Sequence, residues 1–346
     1  MVTLLKKGIP MDRFCRKVSA GLIFFLISIF SVQKGNGENL VFPDFKISML
    51  RETSNKDRFL NRKKLYESAN PKYVKLFEDN YQRNIQEVLN DRNDVYRIPP
   101  VVHQIWLGSK VPAKYRDWME SWMKIRGWEY KLWTDEEVKK IRMYNQDLYN
   151  RSENWGEKAD ILRLEILFQY GGLYVDTDFE CVQPEQFDEL HKCFDFYIGF
   201  EPLEHGIVGK FNMFKMCNAI IAAIPGHPLI KDLIVNMKAN FLAYRPHTGP
   251  IGTTGPSYIT RIICEYLESN VDTLRNMYFP STVFYPFSVI DVERYCSNAD
   301  DALPIFPETL GIHYWNMSWV KCDPKINQYK DKNTKLPKLE IKNGRR

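Results

Sequence analysis

Apolar positions along this chain switch repeatedly between helical and strand spacing, and each switch marks an element. Between Lys158 and Asp178, Ile161, Leu164, Leu167 and Phe168 recur at three- and four-residue intervals, which predicts a helix with one apolar stripe. Gly171 and Gly172 supply its stop, because glycine takes positive φ without a Cβ clash. Leu173-Tyr-Val is then a short buried strand running into Asp176-Thr-Asp178. Upstream, Pro99 and Pro100 precede a β-branched run through Ile105, a second buried strand. A helix over 113–124, a strand over Glu129–Trp133 and a helix capped by Thr134 with Glu137 follow. Downstream come a strand over Phe194–Phe200, an apolar stretch over Met213–Ile224 and a helix from Pro228 to about Leu242. The Thr248–Pro256 loop opens a further helix over 257–267. Strand and helix alternate, so the pattern predicts an α/β fold with a parallel-rich sheet.

The ends read differently. Residues 18–32 form an uncharged apolar run behind Lys6, Lys7, Arg13, Arg16 and Lys17. The run is shorter than the ~20 residues that cross a typical bilayer, and suits either a signal-peptide core or a short anchor. Its basic flank and the lack of a small-residue cleavage site favour an uncleaved type II anchor, with the remainder in the lumen of the ER or Golgi. Residues 33–97 are polar and patchily helical and read as a partly helical stem joining the membrane to the body, with a helical subdomain packed on the body as the alternative. The catalytic body is expected over 98–322, and 323–346 is a basic tail too poor in apolar residues to fold.

Charge sharpens this division. The net +5 comes from the ends: residues 1–17 carry +4 and 321–346 carry +6, leaving a body near −5. A mildly acidic body excludes a nucleic-acid binder, which needs a basic face on the fold itself. Cys15 precedes the apolar run, and the other six cysteines form an even set that a lumen could oxidise or leave as buried thiols. Asn150-Arg-Ser152 is a credible glycosylation sequon, so Asn150 is expected to carry a glycan. Asn316-Met-Ser318 is expected to stay bare.

The chemistry concentrates in 158–178. In an extended segment Asp176 and Asp178 project together, and paired carboxylates beside an apolar strand call for compensation. A hard divalent cation supplies it. Asp160 and Arg163, at i and i+3, share a helix face and can reach one ligand. Such a site suits a phosphorylated sugar.

The combined pattern, Ala-Asp-x-x-Arg followed by Tyr-Gly-Gly-x-Tyr-x-Asp-x-Asp, resembles the DxD region of family 32 glycosyltransferases. That superfamily includes fungal mannosyltransferases, animal α-1,4-sugar transferases and glucosylating toxins. The resemblance spans about 98–319. It implies a GT-A fold and metal-dependent transfer, with retention, from a UDP- or GDP-linked sugar to a glycan or glycolipid. It further implies that Asp176 and Asp178 bind Mn2+ or Mg2+ and that Asp160 and Arg163 hold sugar and ribose hydroxyls. By the same resemblance Trp106 lies against the base, and Thr254 and Gly255 form the family's Thr-Gly-Pro donor loop. The closing element Gly311–Trp319 would bring His313 to the metal, with Ser318 and Trp319 donating to phosphate oxygens. Three rivals remain. A DxD phosphohydrolase expects Thr or Val, not Glu180, two residues after the second aspartate. A calcium loop expects glycine at its sixth position. A sugar-binding module without turnover shares every feature and separates only by assay.

Overall fold

The computed structural model describes residues 30–33, 39–51, 56–91, 94–245, 248–269, 274–292 and 305–316. The strands that position the site are β1 (Val101–Ile105), β2 (Glu129–Trp133), β3 (Gly172–Val175), β4 (Phe179–Cys181), β5 (Phe196–Phe200), β6 (Met216–Ala223), β7 (Asn276–Phe279) and β8 (Gly311–His313). The main helices are α1 (Pro71–Asn90), α2 (Trp155–Tyr170), α3 (Pro228–Tyr244) and α4 (Pro256–Ser269).

Six strands form one mixed sheet in the order β7-β5-β6-β3-β1-β2. The β1–β2, β1–β3 and β5–β7 pairs are parallel, whereas β6 runs antiparallel to both neighbours. Every residue of β3, β5, β6 and β7 is buried, as expected of a sheet covered on both faces. β8 lies outside this sheet and pairs with β4 in a separate two-stranded ladder, Gly311 opposite Cys181 and His313 opposite Phe179.

Two elements differ from the sequence reading for identifiable reasons. The helix α2 is not amphipathic in place: Ile161 and Leu164 are buried, but so are Glu157, Asp160, Arg163 and Glu165. It is wedged between the sheet and α3, so its polar face meets protein and each charge requires a partner. Likewise the apolar stretch 213–224 is split at Lys215 into a two-residue strand, Met213–Phe214, and the antiparallel β6, which itself carries a register shift between Cys217 and Ile221.

The two glycines act as expected. Gly171 and Gly172 have φ of 65° and 95°. A Cβ on Gly171 would come within 2.6 Å of Pro225, and one on Gly172 within 2.8 Å of the Val101 carbonyl. No other residue lets the helix turn so closely into β3.

Of the two arrangements open for residues 33–97, the described helices pack on the body. From α1, Phe77, Tyr81 and Ile85 are fully buried, Phe77 edge-on to Phe200 and Tyr278 of the sheet. Of the apolar run 18–32, only its last residues are described, in a strand Phe30–Gln33 paired with Asn39–Phe42. No helix of the described residues is long and apolar enough to cross a membrane. The basic tail lies outside the described residues, as do Cys15, Cys296 and Cys322. Cys181, Cys217 and Cys264 are buried free thiols, and Cys193 is buried.

Candidate functional site

The two aspartates converge at the C-terminal end of β3, though not along an extended segment. Asp176 follows the strand, and Phe179 N–H bonds back to the Asp176 carbonyl at 3.2 Å, so the pair sits in a tight turn. The turn is pinned on two sides. Gln104, from β1, donates to the Asp176 carbonyl at 3.1 Å, and the Asp176 N–H donates to Ala219 of β6 at 2.8 Å.

One wall of the site belongs to α2. Arg163 lies 2.9 Å from Asp160 and 3.2 Å from Asp176, and its guanidinium stacks on the Tyr174 ring at 4.4 Å. It also donates to the carbonyls of Ala159 and Asn218. Two of its five N–H bonds thus donate to backbone carbonyls, and two carboxylates pair with it as ions. Asp160 is held from three directions: by Arg163, by Asn218 Nδ2 at 2.7 Å and by the Thr254 hydroxyl at 2.7 Å. Burial raises the Asp160 carboxyl to about 6 against the opposing pull of Arg163. Tyr174 completes the wall by donating to Asp176 at 2.6 Å.

The opposite wall arrives from 135 residues further along the sequence. The β4–β8 ladder places His313 Nε2 at 3.2 Å from Asp178 and 3.9 Å from Asp176. Past the strand, Tyr314 N–H bonds to the Asp178 carbonyl at 3.0 Å, and Asn316 N–H bonds to the Asp178 carboxylate at 2.7 Å. The charges divide accordingly. Burial pushes the Asp176 carboxyl up despite Arg163. Burial acts on Asp178 too, but His313 and the Asn316 amide hold it below its ordinary value. His313 is raised, the Asp178 carboxylate outweighing the burial that opposes it.

One ligand atom from each of Asp176, Asp178 and His313 falls within 4.8 Å of the others. Two carboxylates and an imidazole form a donor set suited to Mn2+ or Mg2+, with manganese the better match to the histidine. His313 Nδ1 is buried and has no hydrogen-bond partner among the described residues, so they do not supply the support that a metal-binding imidazole usually has at its second nitrogen.

The remaining expected residues divide in three. Thr254 joins the Asp160 cluster, and Gly255 packs behind it: a Cβ there would stand 3.1 Å from Pro250 O and 3.5 Å from Asp160. Trp106 lies half-buried just beyond β1, tilted against Tyr115 at 4.8 Å and donating to Ser109. Ser318 and Trp319 lie outside the described residues. Asn150 is exposed on the short helix Gln146–Arg151. Asn218, Gln104 and Tyr174 escaped the sequence reading. Asn218 had a signal, a lone amide inside the apolar run Met216–Ala223. A buried strand tolerates such a group only with a partner.

Comparison with known proteins agrees with this geometry. Residues 112–194 match the family described as glycosyltransferase sugar-binding region containing DXD motif, and 222–334 match the alpha 1,4-glycosyltransferase conserved region. Inositol phosphoceramide mannosyltransferase 1 of Schizosaccharomyces pombe is 25% identical over 252 residues, covering 70% of this chain and 68% of that protein. The human alpha-1,4-N-acetylglucosaminyltransferase is 24% identical over 189 residues, covering 52% of this chain and 49% of that protein. Among the first relatives matched, the chain thus spans between half and two thirds of their length. A solved structure, PaToxG glycosyltransferase, superposes with a TM-score of 0.36 at 16% identity, over 56% of this chain and 79% of that one.

Proposed function

On the premise that the chain belongs to the glycosyltransferases carrying the DXD sugar-binding region, we propose that it moves a hexosyl group from a nucleotide-sugar to a hydroxyl of a glycan or glycolipid. The observation that carries the proposal is the convergence of Asp176, Asp178 and His313 beside the Asp160–Arg163 pair. A divalent cation held by the three would neutralise the diphosphate leaving group. Asp160 offers its carboxylate to the donor's hydroxyls. Because Arg163 is buried, paired with both carboxylates and donating to two carbonyls, its part is to fix Asp160 and Asp176 in place.

Donor and acceptor follow the resemblance. UDP-galactose, UDP-N-acetylglucosamine, UDP-glucose and GDP-mannose are the candidate donors, with Trp106 against the base, Thr254 and Gly255 in the donor loop, and retention of configuration. The fission yeast relative's name specifies an inositol phosphoceramide acceptor, which supports a glycolipid as the first acceptor to try. An ER or Golgi lumen, an anchor at 18–32 and a glycan on Asn150 belong to the same proposal. The test incubates the full chain with each donor, with manganese and then with chelator. Release of nucleoside diphosphate from one donor, abolished by chelator, is expected. A folded protein that releases none from any donor would leave a binding module instead.

A further inference from the structure

The closing element rests on a support that the donor wall does not share. Trp315, between His313 and Asn316, is 8% exposed and has φ of 52°. For a bulky non-glycine residue this conformation is strained and persists only where surroundings enforce it. It has a consequence for the site: the turn it makes aims the Asn316 N–H at Asp178. What enforces it comes from two upstream segments, one around His205 and one over Tyr285–Phe287. His205 meets the Trp315 ring edge-on at 4.4 Å, Tyr285 tilts against it at 5.5 Å, and Trp315 Nε1 donates to the Phe287 carbonyl at 3.0 Å. Trp315 in turn packs on the His313 ring at 4.3 Å.

His205 is itself fixed. Val289 N–H donates to its Nε2 at 3.1 Å, so the proton sits on Nδ1, which donates to Glu201 at 3.0 Å. Its neighbour Glu204 accepts from three arginines of the N-terminal segment: Arg51 and Arg58 at 3.1 Å, and Arg62 at 2.6 Å. Three guanidinium groups on one largely buried carboxylate leave the short helical turn Leu203–His205 little freedom.

We infer that His205 and Trp315 are positioning residues: clamped through Glu204 by the N-terminal segment, His205 holds Trp315 in its strained turn, and Trp315 holds His313 and the Asn316 amide on Asp178. The inference rests on the proposed cation cluster for its consequence, but not for its geometry. It makes Arg51, Arg58 and Arg62 part of the site's support.

Two variants test it. His205→Gln keeps a donor for Glu201 and an acceptor for Val289 but removes the ring. Trp315→Phe keeps an aromatic ring against His205 and His313. Amide hydrogen exchange of the full chain is compared over 310–316 and over α2, and Mn2+ binding is measured by calorimetry. For His205→Gln the expected result is at least ~10-fold faster exchange confined to 310–316, with Mn2+ bound ~10-fold more weakly, the scale for losing a ligand's close support. Trp315→Phe keeps the ring packing but loses the indole donor to Phe287, so both readouts should move the same way by about threefold, less than in His205→Gln. Unchanged exchange over 310–316 in His205→Gln overturns the inference, as does faster exchange spread equally over α2, which would make His205 an ordinary fold residue. A wild type that ignores Mn2+ sinks the proposed function alone, and the exchange comparison then decides the positioning claim by itself.

Discussion

The two walls of the site are built on different principles. The α2 wall sits in the core: Asp160 and Arg163 are one helical turn apart, both buried, and tied to each other and to Asp176. Its cross-links come from β6 through Asn218 and from the loop before α4 through Thr254. The closing wall is a three-residue ladder followed by a strained turn, held by ring packing and two backbone amides. Charges removed from water in the first wall are compensated by one another and by buried polar partners from α2, β3, β6 and the loop before α4, so it should fail as a unit and take the fold with it. The second carries less of the core and should fail locally. Stability and function are thus expected to separate across a few ångströms.

Arg163→Met should break the first wall. It strands the Asp160 carboxylate and removes the cation beside Asp176, so unfolding in urea should lose about 3–5 kcal/mol. A midpoint unchanged from the wild type would mean that the pair is not what holds this wall. Next in size, Asp178→Asn preserves shape but removes charge. Transfer should fall by about a hundredfold or more with the unfolding midpoint nearly kept. More than about a tenth of the activity surviving at saturating manganese would count against the ligand role. His313→Ala is milder: the manganese needed for half-maximal activity should rise by ~10–100-fold at a temperature where both proteins are folded. Superimposable titrations would make His313 structural.

The smallest effect is a pH limb set by Asp160. Its carboxyl is raised to about 6 by burial, so the anion that would accept donor hydroxyls is lost as pH falls through that value. The rate at limiting donor should halve near pH 6, measured where manganese is saturating. Stability moves the other way. A raised carboxyl binds its proton more readily in the folded state, so its contribution is fully present below the unfolded value of 3.8 and lost as pH rises through about 6. An acid limb near pH 4 instead would show that Asp160 is not the titrating group.

Much of the first wall was legible because its information is local. Helical spacing puts Asp160 and Arg163 on one face, two glycines end the helix, and the next strand delivers Asp176 and Asp178, all within 158–178. The alternation of strands and helices likewise announced an α/β sheet. What local spacing could not carry was the environment of those residues. An apolar stripe predicts one buried face, whereas α2 is buried on every side from Asp160 to Leu167, and this turns Arg163 from a free hand into an internal tie. That β6 runs antiparallel through the middle of the sheet, lending Asn218 to Asp160, also has no signature within its own eight residues. The closing wall shows the limit most plainly. His313 was picked out through a family resemblance; its distance to Asp178 comes from the pairing of Gly311–His313 with Phe179–Cys181, and its support from a histidine and three arginines far upstream. Residue spacing fixes geometry over a few residues along one element. Which distant segments meet is decided by how the whole core packs, so the sequence determined the carboxylates and their helix, and only the tertiary structure decided what faces them.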